Sequence, residues 1–350
     1  MHQYVVFGFI GDIRMLVNAH NIRNKDMPVK KISLLFLLSA SMGYAAVSEP
    51  LLKNKLDFSK LNQEKVSLGK KLFFDPRLSK DGTVSCNSCH NLMGNGSDQR
   101  PNSVGVGGHH GDRKAPTVWN VALMSAFFWD GRAKTLEEQA VGPITNPIEM
   151  AMPNAKAVED RLKKIPGYVE QFAAVYKKKD AITLVNVGDA IAEFERTLLT
   201  PDSAFDQYLA GDKKALSPSA KRGLELVQSV GCTSCHQGVN FSGPKLPDGM
   251  PFLMKFPTFA GTDYEKKYDL LSDTGRHRVT KDTQDKHLWR VPTWRNVALL
   301  APYMHNGSVK TLDEAVRVMA KTQLGKDLKK EEVSDIVSFL ESLIPNGKCL

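Results

Sequence analysis

Cys86-Asn87-Ser88-Cys89-His90 and Cys232-Thr233-Ser234-Cys235-His236 are two copies of one pattern, C-x-x-C-H, in a chain of 350 residues. They use four of the five cysteines, and the fifth, Cys349, is assigned no role. A single copy could belong to a zinc ribbon or a redox dithiol. A ribbon, however, needs its second pair about 15 to 20 residues away, and these pairs begin 146 residues apart. Two copies point instead to haem c, whose macrocycle takes thioethers from the two thiols while the next imidazole lies beneath the iron. The sequence thus predicts two covalent haems on Cys86, Cys89, Cys232 and Cys235, with His90 and His236 as iron ligands.

The sequence around these motifs is itself repeated. Residues 116–140 recur at 292–316 without a gap, and 11 of the 25 positions are identical, including Pro116-Thr117, Asn120-Val-Ala-Leu123 and Lys134-Thr-Leu136. Such self-similarity marks tandem structural units. Apolar spacing of three and four predicts helices over Val66–Phe74, Leu184–Leu199, Ser219–Val230 and Glu331–Leu343, with Gly- and Pro-rich loops at 94–111 and 238–257. The expected fold is mainly α, with two cytochrome c-like domains, 46–214 and 215–350, each holding one haem. Where the copies differ, their chemistry differs: Trp129, Gln139 and Pro143 of the first stand opposite His305, Ala315 and Met319 of the second.

Met27 to Ala45 reads as a signal peptide, with Lys30 and Lys31, the apolar run from Ile32, and a small-residue cleavage site before Ala46. The run is too short for a permanent membrane helix, so the mature chain is expected in the periplasm. Residues 1–26 read as an over-extended start. The remaining net charge, about +6 and dispersed, leaves no nucleic-acid footprint.

Further motifs extend from Leu68-Gly-Lys-Lys-Leu-Phe-Phe-Asp75 to the C-terminal half. They include Ala115-Pro-Thr117, Phe128-Trp-Asp-Gly-Arg132, Asn146-Pro-Ile-Glu-Met150, Val291-Pro-Thr293, Arg295-Asn-Val-Ala-Leu299 and Pro302-Tyr-Met-His-Asn-Gly307. With the two C-x-x-C-H sites, they make the chain resemble the bacterial di-haem cytochrome c peroxidases over nearly all its mature length. The resemblance implies reduction of hydrogen peroxide by electrons from a small cytochrome c or copper protein, and a homodimer. It makes the N-terminal haem peroxidatic and the C-terminal haem an electron-transfer centre ligated by His236 and Met319, with Met304 as second candidate. It also implies Glu149 as acid/base, Gln139 as its polar companion, and Trp129 as the aromatic bridge between haems. A carboxylate suits peroxide cleavage, which moves a proton from one oxygen to the other.

The sequence departs from the family pattern twice. The displaceable histidine of many members, sixteen residues after the proximal one, is here Val106. His109 and His110 follow it, and either could take that place, or neither, leaving the site open. The family's calcium site uses carbonyls at positions matching Leu300 and Pro302 and an Asn side chain at the position of Lys114. An ammonium donates only and calcium needs oxygen ligands, which argues against calcium here. Two rival readings are a di-haem oxidase that modifies a partner protein, whose relative carries Tyr where this chain has Met319, and a non-enzymatic electron carrier, in which Glu149 and Gln139 would be idle.

Overall fold

In the computed structural model, residues 50–244, 246 and 250–346 are described; the signal-like stretch 27–45 and Cys349 lie outside them. The first half carries helices α1 (Gln63–Phe74), the single turn α2 (Cys86–Cys89), α3 (Leu136–Thr145), α4 (Ala155–Lys163), α5 (Pro166–Tyr176) and α6 (Leu184–Glu195). After α7 (Ala204–Leu209) come α8 (Pro218–Ser229), α9 (Asp263–Lys267), α10 (His277–Thr280), α11 (Leu312–Leu324) and α12 (Lys330–Glu341). Two short antiparallel strands, β1 (Leu253–Lys255) and β2 (Leu288–Arg290), pair with Met254 opposite Trp289. The mainly helical expectation holds. Two predicted helices end early, α6 before Leu198 and α12 before Leu343. Both leucines are buried in the turn that follows, so their apolar spacing continues past the helix. No described helix is long and apolar enough to cross a membrane.

The duplication reaches the backbone. Thr135 and Thr311 cap α3 and α11, each hydroxyl accepting from the glutamate amide three residues on, Glu138 (3.1 Å) and Glu314 (3.3 Å). The repeated Lys-Thr-Leu is therefore a helix start, stabilised by about 1 kcal/mol per cap. Asn120 and Asn296 adopt the left-handed conformation (φ 61° and 62°), as do Phe128 and Met304 (59° and 70°). Isolated bridges join Phe127 to Ala133 and Tyr303 to Val309.

A second correspondence was not visible in the repeat. Helix α1 crosses α6 at Gly69, and α8 crosses α12 at Gly223. A Cβ on Gly69 would lie 1.8 Å from the Ala190 carbonyl oxygen, and one on Gly223 would lie 1.9 Å from that of Asp335. These glycines let backbones touch where any side chain would force them apart.

The first half has its own core, built on Leu72, Phe73, Ile144, Leu162, Phe172 and Ile191. The second core gathers Phe241, Ile336, Phe339 and Leu343, and takes in Phe205 from α7. The described residues belong to one compact unit. Two buried polar joints lie within it. Arg295 and Asp206 form a bidentate ion pair, 2.8 and 2.9 Å, with neither side chain exposed. The Thr200 hydroxyl accepts from Asn120 Nδ2 (2.6 Å) and from Asn296 Nδ2 (3.0 Å).

Gly223→Ala is expected to destabilise the protein by about 3 kcal/mol or more in denaturant titration, because it overpacks a helix crossing. Gly167→Ala, in α5 with open space around it, should be neutral or stabilising by up to about 1 kcal/mol.

Candidate functional site

The two C-x-x-C-H motifs open on one cavity of about 730 Å³, lined by all four cysteines, Cys86, Cys89, Cys232 and Cys235, and by both histidines, His90 and His236. Each motif is a single helical turn, closed by His90 N–H to Cys86 O (2.9 Å) and His236 N–H to Cys232 O (3.1 Å). The x-x spacing thereby sets both cysteines on the same side of the turn. His236 Nδ1 bonds the Phe241 carbonyl at 2.9 Å, which fixes the ring and leaves Nε2 for a metal. Trp294 stacks on that ring with centroids 4.3 Å apart. Burial pulls the His236 pKa down to about 4, opposed by the carbonyls of Phe241 and Pro292. Burial also lowers His90, opposed by the carbonyls of Gly96 and Pro116. Neutral imidazoles are what iron ligation requires. Burial raises the four thiols, Cys232 to about 11.

The Pro143 and Met319 exchange makes the two sides of this cavity unlike. A residue that precedes a proline is pushed out of the helical region, and Asn146, ahead of Pro147, is extended. In the first copy α3 stops at Thr145, and the chain turns back so that Glu149 N–H meets Asn146 O (3.1 Å) and Glu149 O accepts from Val106 N–H (2.8 Å). In the second copy α11 runs on to Leu324 and presents Met319. Glu149, Gln139, Met319 and Met304 all line the cavity. Glu149 Oε2 is buried with no hydrogen-bond partner. Burial raises its pKa, opposed by Asn146 and the Arg132 charge, and its own charge reaches Cys89. His109 and His110 are exposed and stand outside the lining, whereas Val106 is buried.

Trp129 lies where the two halves touch. Its indole N–H donates to the Lys114 carbonyl (2.8 Å), and its own carbonyl accepts from Arg290 N–H (2.9 Å). Lys114 is only 4% exposed. Its ammonium donates to Ser97 Oγ (2.9 Å) and to the Asp98 carbonyl. Burial brings its pKa down to about 8, opposed by Asp98. His305, the counterpart of Trp129, is buried against Trp289 (4.3 Å), its Nε2 without a partner.

Sequence reasoning missed Arg290. Its guanidinium sits 5.5 Å over the Trp129 ring, donates from Nε to Phe128 O (2.9 Å), and lines the cavity with no carboxylate in ion-pair range among the described residues. Burial lowers its pKa to about 10, opposed by Asp130. A buried cation needs an anionic partner, and the negatively charged edge of a haem supplies one. Imidazoles, paired thiols and this guanidinium around one apolar cavity therefore fit two haem c groups. Arg290 precedes Val291-Pro-Thr293, so only its place next to a motif could have flagged it.

Residues 63–214 match the family described as di-haem cytochrome c peroxidase. Cytochrome c551 peroxidase of Pseudomonas aeruginosa is 45% identical over 81% of this chain and 79% of its own length. That of Nitrosomonas europaea is 41% identical, covering 91% of both. Among solved structures, a MauG-like protein associated with microbial copper homeostasis superposes with a TM-score of 0.72 at 27% identity, over 87% of this chain and 95% of that one. The chain belongs to the bacterial di-haem cytochrome c peroxidase family.

Proposed function

We infer that this chain is a periplasmic cytochrome c peroxidase that reduces hydrogen peroxide, with two electrons and two protons, to two waters. Glu149 carries the reading: a carboxyl with a buried, unpartnered oxygen in the cavity of His90 has no packing task, while peroxide cleavage needs one proton moved between its oxygens. When bound, a haem attached through Cys86 and Cys89 on His90 supplies the redox chemistry. Glu149 Oε2 takes the proton from one peroxide oxygen and delivers it to the departing one, and Gln139 holds the peroxide in reach by hydrogen bonding. Trp129 bridges the halves, which we divide after Lys214. Cys232 and Cys235 would hold a second haem, with His236 and Met319 as its iron ligands, and that group would supply electron transfer from a small cytochrome c or copper protein. The family likeness supports a homodimer.

The exposure of His109 and His110 and the buried Val106 support a resting site with no displaceable histidine, active without prior reduction. Lys114 stands where calcium would need an oxygen ligand, and its ammonium is already bonded to Ser97 and Asp98. Met319 supports peroxidase over the protein-modifying oxidase, whose relative has Tyr there.

Glu149→Ala is expected to lower peroxide turnover about 10²–10⁴-fold with both haems retained. In the unaltered enzyme the acid limb of the pH–rate profile should lie above the ordinary glutamate range. The working base is the ionised form, and burial raises the pH at which it forms. Unchanged turnover in the variant would remove Glu149 from the mechanism. Met319→Ala should lower the potential and alter the spectrum of the C-terminal haem alone, since loss of a thioether ligand lowers haem potential; two unchanged haem spectra would move that ligand to Met304. Dialysis against a calcium chelator should leave turnover unchanged, and activity restored only by calcium would contradict the role given to Lys114.

A further inference from the structure

Helices α6 and α12 are counterparts in the two halves, in register from the glycine crossing onward. Ala190 and Asp335 meet the glycines, Ile191 and Ile336 line the cavity, and Phe194 and Phe339 are buried. One position further the register breaks chemically: Glu195 stands where the second half has Leu340. Both line the cavity and both are 4% exposed. Leu340 belongs to the apolar core with Ile336 and Phe339. Glu195 has no hydrogen bond to either oxygen among the described residues, and its Oε2 is buried.

The charges around Glu195 do not neutralise it. Arg196, next on the helix, pairs with Glu137 of α3 and with Glu193 (3.4 Å). Lys65 of α1 is bound to Asp189 toward the other end of α6 (2.9 Å). Cys86 lines the same cavity, and burial, then the Glu195 charge, push its thiol up. Burial raises the Glu195 pKa to about 8, with Arg196 opposing and Glu137 adding to the rise. A carboxyl so placed is neutral near pH 7 and becomes charged only where something nearby favours its negative form. Ferric iron in the same cavity favours that form, and ferrous iron withdraws the support.

We propose that Glu195 is the redox-linked proton site of the N-terminal haem, a function that the C-terminal half lacks because Leu340 takes its place. For each electron that an external donor delivers, the iron goes from ferric to ferrous and one O–H bond forms at a Glu195 carboxylate oxygen with a proton from solvent. On oxidation both leave. The proposal rests on the haem held at His90 in the proposed function, and is independent of the oxidant.

Ionised Glu195 disfavours the added electron, so the potential of that haem falls as pH rises through the range where the carboxyl titrates. The limit is a tenfold change in the reduction equilibrium per pH unit, about 59 mV for one electron. The test is a redox titration of the purified di-haem protein at a series of pH values, following each haem by its own spectrum. In the unaltered protein the N-terminal haem should show the stronger pH dependence. Glu195→Gln, and Glu195→Leu after the other half, should flatten it and hold the potential near its low-pH value. A wild-type slope in Glu195→Gln would overturn the proposal. Reduced-minus-oxidised infrared spectra of the unaltered protein keep the test decisive if a variant loses its haem: a protonated carboxyl band should appear on reduction, shift in D2O and persist in Glu149→Gln. Absence of that band would overturn it equally. Failure of the peroxidase reading would show separately, as missing turnover with the potentials and the band intact.

Discussion

A guanidinium and a carboxylate sealed from water, Arg295 and Asp206, hold the molecule in register. Asp206 Oδ1 also accepts from Leu51 N–H (2.8 Å) and Oδ2 from the Ser203 hydroxyl (2.6 Å), while Arg295 Nε donates to Val239 O (2.7 Å) in the loop that follows His236. One ion pair thus ties the start of the described chain, the joint between halves and the wall of the second haem site. Removing either partner from a buried pair costs about 3–5 kcal/mol because the other charge is stranded. The loops around the cavity have little regular structure of their own, so their geometry rests on joints of this kind.

On that scaffold, the same turn and helix serve two purposes. Both copies start the cavity helix with a threonine cap, and both carry a left-handed residue before the Gly131 or Gly307 turn. What differs is where the helix is allowed to stop. Asn146, held extended ahead of Pro147, ends α3 and frees a turn for Glu149, while α11 continues and Met319 brings a thioether to the cavity. Divergence at a few positions was enough because the backbone had already placed each of them on the cavity wall.

The attachment motifs, the repeat and the long amphipathic helices were legible because they are local or strongly periodic. The strands β1 and β2 were not: each is three residues, and the partners lie more than thirty residues apart, so nothing nearby announces them. Short helices such as α9 and α10 carry too few turns for a periodic signal. Arg290 was overlooked, and the burial of Lys114 was not legible, for another reason. A charged side chain in a sequence looks solvated, and only the fold reveals that its partners are carbonyls, as with Lys114 on Asp98 and Arg290 on Phe128. The resemblance carried Glu149, Gln139 and Trp129 to the cavity, which periodicity alone would have left as a loop acid, a helix surface residue and a packing aromatic.

The meeting of Asn120 and Asn296 on Thr200 makes the two halves unequal in support as well as in chemistry. The position after α12 that corresponds to Thr200 is Pro345, which has no hydroxyl to offer. The first half therefore brings its own seat for its asparagine, and the second must borrow that seat from the first. At this joint the first half supports the second, whereas at Trp129, whose carbonyl accepts from Arg290 N–H, the second supports the first. The C-terminal half taken alone would keep the bond from Asn296 N–H to the Leu343 carbonyl but lose the hydroxyl on which the Asn296 side chain rests.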